Sequence, residues 1–139
     1  MSHEDRATVP LVIRVQEAFL ARPDNQRTWA PPIRARVGET QLDLRVGDNQ
    51  VPLPPGQWTV AVWIAYYGMK AGKAQLTVDT RPGRPLLLHY MPPRTLYNRG
   101  VLGHEPVTER PGRNTMLLIY ALVVGIGLLG AAIAIPLLR

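Results

Sequence analysis

From residue 116 to residue 138 the chain carries no charged side chain, and nearly every position is apolar: Met-Leu-Leu-Ile-Tyr-Ala-Leu-Val-Val-Gly-Ile-Gly-Leu-Leu-Gly-Ala-Ala-Ile-Ala-Ile-Pro-Leu-Leu. Crossing a bilayer as a helix takes roughly 20 such residues. At 1.5 Å per residue this run covers about 34 Å, enough for a hydrocarbon core of about 30 Å with some tilt. A core helix in a small soluble domain needs a polar stripe, and this run has none. The expectation is a single-pass membrane protein with its span at residues 115–139.

The rest of the chain is charged and basic. All ten acidic residues and fifteen of the sixteen basic ones precede the run, which leaves that part with about five net positive charges. The first six residues, Met-Ser-His-Glu-Asp-Arg, contain no apolar export signal. Arg94, Arg99, Arg110 and Arg113 stand just before the span, and the positive-inside rule puts such a cluster on the cytoplasmic side. The expected placement is a plasma (inner) membrane protein with the N-terminal part in the cytoplasm and the C-terminus outside. The anionic cytoplasmic leaflet explains a basic tethered domain more simply than nucleic acid does, because no patch interleaves arginines with aromatics.

Small residues recur along the span. Ala121 and Gly125 are four apart, as are Gly127 and Ala131, and Gly130 and Ala134. That spacing is expected to form a helix-packing face, since small side chains let a second helix approach closely and packing drives association in lipid. The same residues are also common in the spans of GC-rich organisms, a bias that 14 Arg against 2 Lys suggests here. Gly125-x-Gly127-x-x-Gly130 matches a dinucleotide fingerprint as a string, but it follows no strand and lies inside the span.

Ahead of the span the apolar residues alternate with period two. Val9, Leu11, Ile13 and Val15 do so, as do Ile33, Ala35 and Val37, then Leu42, Leu44 and Val46. Residues 58–67 are apolar on both faces, with Trp58, Val60, Val62, Ile64 and Tyr66 on one and Ala61, Trp63 and Ala65 on the other. This stretch is expected to be the most buried strand. Ala74, Leu76 and Val78 mark another strand, and Leu86, Leu88 and Tyr90 a last one. Pro54-Pro55-Gly56, Gly68-Met-Lys-Ala-Gly72 and Arg81-Pro82-Gly83-Arg84 supply turns. About seven short strands with frequent turns suggest a mainly β chain, an antiparallel sandwich over residues 1–91. Residues 51–91 resemble the small transthyretin-like, PEGA-like or immunoglobulin-like sandwiches, a resemblance that implies the fold and nothing more. Residues 92–114, rich in Pro, Gly and Arg, are expected to form a juxtamembrane linker that meets headgroups or a partner, or simply solvent.

Chemistry is hard to find. Without cysteine there is no disulfide, thiolate metal site or covalent haem attachment. His3, His89 and His104 are scattered and no pair has metal-ligand spacing. His89, on a strand, suits a packed or surface histidine better than a base. Ser2 is the only serine and has no triad to serve. Asp43 beside Arg45 and Asp79 near Arg81 suit solvated charge. The expectation is no enzyme, no cofactor and no metal, and a partner made of integral membrane helices.

Taken as a whole, Val9 to Val15, the Pro54-Pro-Gly-x-Trp-Thr-Val60 stretch, residues 86–93 and the span resemble a small actinobacterial accessory subunit of the cytochrome bcc and cytochrome c oxidase supercomplex. The resemblance implies a non-redox subunit whose helix packs on oxidase helices while the sandwich caps their cytoplasmic ends. Two other readings stand beside it: a tail-anchored adaptor that recruits a soluble partner, and a small-ligand or lipid-binding sandwich using Trp58, Trp63, Tyr66 and Tyr67.

Overall fold

The computed structural model describes residues 7–16 and 31–137; residues 1–6, with Ser2 and His3, and residues 138–139 lie outside it. The described strands are β1 (Val9–Val15), β2 (Ile33–Val37), β3 (Thr40–Leu44), β4 (Gly47–Leu53), β5 (Gln57–Tyr66), β6 (Met69–Asp79), β7 (Leu86–Met91) and β8 (Val101–Gly103), followed by helix α1 (Arg113–Leu137). They form two four-stranded sheets, ordered β4-β1-β7-β8 and β3-β2-β5-β6.

The alternation seen in the sequence explains how the sheets face each other. Leu11, Ile13, Val15, Leu53, Leu88 and Tyr90 point inward from the first sheet and meet Ala35, Val37, Leu44, Val60, Val62 and Val78 from the second. Fully burying each large aliphatic chain contributes about 1.5–3 kcal/mol, so this shared layer holds the β-domain together. Burial is divided between the sheets. β1 and β7 are as deeply covered as β5, with Leu11, Ile13, Leu88 and Tyr90 all at 0% exposure, so β5 is not the single most buried strand.

One strand pair departs from the expected antiparallel sandwich. β1 runs parallel to β7, from Leu11 opposite Leu86 to Val15 opposite Tyr90. No hairpin joins these two strands, so no tight turn dictates their direction. Pro10 is tolerated in β1 because it precedes the first β7 pairing and lies opposite Pro52 of the edge strand β4.

Three elements differ from the sequence reading for local reasons. β6 begins at Met69, because Tyr67 (φ 44°) and Gly68 (φ 76°) alone turn the chain back from Tyr66 to Met69. Two successive positive φ values are the mark of a type I′ hairpin, whose usual first residue is Asn, Asp or Gly rather than Tyr. β4 lacks a sustained period-two pattern, since only Val51 and Leu53 alternate in it; Asn49 fixes its start by donating to the carbonyls of Ile13, Arg45 and Gly47. β8 lies within the expected linker and pairs with β7, from His89 opposite Gly103 to Met91 opposite Val101.

The Pro54-Pro55-Gly56 turn is clamped from below. The hydroxyl of Thr80, fully buried, donates to the Pro54 carbonyl at 2.7 Å and accepts from the Gly56 N–H at 3.0 Å. Trp58 packs against the core and its Nε1 donates to the same Pro54 carbonyl at 2.9 Å.

Candidate functional site

Helix α1 packs on no other element among the described residues. Its 25 residues span about 38 Å, it is long and apolar enough to cross a membrane, and none of its apolar window is buried. Pro136 sits in its last turn, where the kink it imposes affects little of the span. Gly112 opens the helix at φ 99°, with its carbonyl accepting from the Met116 N–H at 2.9 Å. A Cβ at Gly112 would stand 2.8 Å from Oδ1 of Asn98, so glycine is needed there for both conformation and space.

The small residues of α1 do not share one stripe. With about 100° between successive residues, Ala121 and Gly125 fall together on one side. Gly127, Gly130, Ala131 and Ala134 fall at i, i+3, i+4 and i+7 on another, roughly opposite. All six are exposed. The second group is the more coherent packing patch, because its four positions cover two turns of one face; tallying pairs four apart in the sequence hides this division.

The four arginines ahead of α1 divide just as sharply. Arg110 is half-buried, and its guanidinium donates from Nε to the Pro92 carbonyl at 3.1 Å and from the terminal nitrogen to Pro93 at 3.2 Å. Burial, and then the charge of Arg94, lower its pKa from the usual arginine value. Arg113 opens α1 and meets Glu109 at 3.3 Å. Arg94 donates to the Arg110 carbonyl at 3.4 Å. Arg110 is thus committed to holding residues 92–112 in shape, while Arg99 lines a cleft.

That cleft, of about 800 Å³, lies between the second sheet and residues 96–102. A bulge makes room for it. Val62 of β5 pairs with Ala74 and Ile64 with Ala71, so Trp63 alone faces both Gly72 and Lys73. Gly72 takes φ 58°, and its carbonyl accepts from the Tyr90 hydroxyl at 2.7 Å, tying the two sheets. Trp63 is only 5% exposed yet stands outside the inter-sheet core, on the side of β5 that carries Arg34 and Arg36 of β2 opposite it. Lys70 Nζ lies 4.4 Å over its ring.

The four aromatics considered as a ligand site are not gathered. Trp58 belongs to the core edge, Tyr66 and Tyr67 stack edge to face at the hairpin turn, and of the four Trp63 alone lines the cleft. Among the described residues no three His, Asp or Glu side chains gather as a metal site would require. His89 is 5% exposed with Nδ1 unpartnered, and His104 is exposed in the connecting segment. Asp43 pairs with Arg34 across β2 and β3 at 3.2 Å rather than with Arg45, and Asp79 pairs with Arg81 at 2.7 Å. Comparison with protein-family models, curated proteins and solved structures finds no match to this chain.

Proposed function

We propose that the chain is a non-catalytic accessory subunit of a membrane respiratory complex, the cytochrome bcc and cytochrome c oxidase supercomplex being the one its architecture resembles. The observation that carries the reading is α1, an apolar helix that nothing among the described residues covers, with Gly127, Gly130, Ala131 and Ala134 forming a flat patch on one side. Lipid tails compete poorly for such a patch when another helix can approach closely over it. In this reading the β-domain lies on the cytoplasmic side of the plasma membrane, with Arg94, Arg99 and Arg113 near the anionic leaflet and the far end of α1 outside. The chain contributes packing and stability rather than a redox ligand.

The test replaces the patch. Gly127→Leu with Gly130→Leu adds bulk at two neighbouring positions while keeping the span apolar. The variant is expected to remain in the membrane fraction yet separate from its complex in mild detergent. Full co-purification of the double variant would remove the patch from the account and leave docking to the β-domain or to residues 92–112.

A further inference from the structure

The cleft carries positive charges that docking through α1 leaves without a task. Arg36 of β2, Lys70 and Lys73 of β6 and Arg99 line it, and among the described residues no carboxylate does. None of the four is in an ion pair among the described residues, where Arg14, Arg34, Arg81 and Arg113 each have one. Like charges around one concavity repel each other, and their combined field concentrates anions there. Arginine guanidinium groups match phosphate oxygens in a bidentate way and lysines supply compact charge beside them. Trp63 gives the cleft an apolar floor, and Tyr97, 88% exposed, stands at its rim. The volume is far more than a bare phosphate ion fills and falls in the range of small-molecule sites.

The position of the cleft narrows the choice of anion. Asn98 lines it, and Asn98 Nδ2 donates to Thr115 Oγ1 at 3.0 Å. Thr115 lies in the first turn of α1, one residue before the apolar run begins. With α1 in a bilayer, the rim of the cleft therefore lies at the level of the headgroups. We propose that the cleft binds the phosphate-bearing headgroup of an anionic phospholipid, with Arg36, Lys70, Lys73 and Arg99 on the phosphate and Trp63 and Tyr97 against its glycerol. The proposal rests on the membrane placement of α1 and not on the identity of any complex.

The test uses the full chain in neutral detergent micelles, titrated with dioctanoyl phosphatidylglycerol, dioctanoyl phosphatidylcholine and soluble glycerol 3-phosphate, with tryptophan emission as readout. Phosphatidylglycerol is expected to bind well ahead of the other two. Lys73→Glu with Arg99→Glu is expected to weaken it by about tenfold or more, the loss of charge-assisted phosphate contacts. Lys73→Gln with Arg99→Gln should give a smaller loss in the same direction without introducing new charge. Arg45→Glu with Arg84→Glu makes the same change in net charge at exposed sites outside the cleft and should leave binding nearly intact. Equal weakening by the cleft and control pairs, or equal binding of phosphatidylcholine, overturns the proposal. Glycerol 3-phosphate binding as tightly as the lipid overturns the lipid source. Alkaline extraction of membranes separates this from the placement of α1: a chain that resists extraction but shows no headgroup preference refutes the cleft alone, and an extractable chain refutes the placement.

Discussion

Replacing Tyr90 with Phe isolates one hydrogen bond between the two sheets without changing the packed volume. Tyr90 is fully buried, and its hydroxyl reaches the Gly72 carbonyl at 2.7 Å across the bulge of β6. The surroundings are tight: a Cβ at Gly100 would stand 2.6 Å from that carbonyl oxygen, and a Cβ at Gly72 would stand 2.8 Å from the Pro93 ring. Tyr90→Phe removes the hydrogen-bond donor of the Gly72 carbonyl, at a cost of about 1–3 kcal/mol. With a urea dependence of roughly 1–1.5 kcal/mol per M for a small domain, the unfolding midpoint should fall by about 0.7–3 M. A second consequence is alkaline. Burial pushes the Tyr90 phenol above its ordinary value, so the folded state retains a proton that the unfolded state releases. Fewer protons on the unfolded state mean that this contribution is full below about pH 10 and is lost as pH rises, by up to about 1.4 kcal/mol per pH unit. The wild type should thus lose about 1 kcal/mol more than Tyr90→Phe between pH 10 and 11. Tryptophan fluorescence of the full chain in micelles, in urea at each pH, measures both effects. A midpoint within about 0.5 M of the wild type, together with parallel alkaline curves, would refute the reasoning.

Three further substitutions test the β-domain and its electrostatics. Val62→Asp puts a carboxylate at a position 1% exposed in the inter-sheet core and should cost several kcal/mol, read as a collapse of the cooperative fluorescence transition. Gly72→Ala meets both a left-handed backbone and the Pro93 ring, and should lower the urea midpoint by the equivalent of about 2 kcal/mol. The Arg14 guanidinium holds the Asp48 carboxyl below its ordinary value, and Arg81 does the same for Asp79. Their depressed folded values stabilise above about pH 4 and that stability is lost as pH falls through them, so Asp48→Asn with Asp79→Asn should flatten the acid limb of the stability curve.

The strands that could be read from the chain were those whose apolar alternation runs unbroken. β1, β2 and β7 have it, and their bounds follow the pattern of Val, Ile and Leu residues closely. β4 lacks it because an edge strand needs only one covered face and a short one at that, and its start depends on the Asn49 side chain rather than on hydrophobicity. β8 is three residues held by pairing with β7, a tertiary contact with almost no local signal. The long apolar helix was legible because length and the absence of charge mark a candidate membrane span. The cleft was not, since Arg36, Lys70, Lys73 and Arg99 come from distant parts of the chain and meet only through strand register, a bulge at Trp63 and the return of residues 96–102. Of the four, Arg99 had a sequence signal, as one of the basic residues before the span.

Purification of the tagged chain from its own membranes in mild detergent tests the subunit reading most directly. The account predicts that haem proteins accompany it in near-stoichiometric amounts, with reduced-minus-oxidised spectra whose shape does not change when Gly127→Leu and Gly130→Leu release the chain. Recovery of the chain without haem, whether by itself or with a soluble protein in fixed proportion, would contradict it.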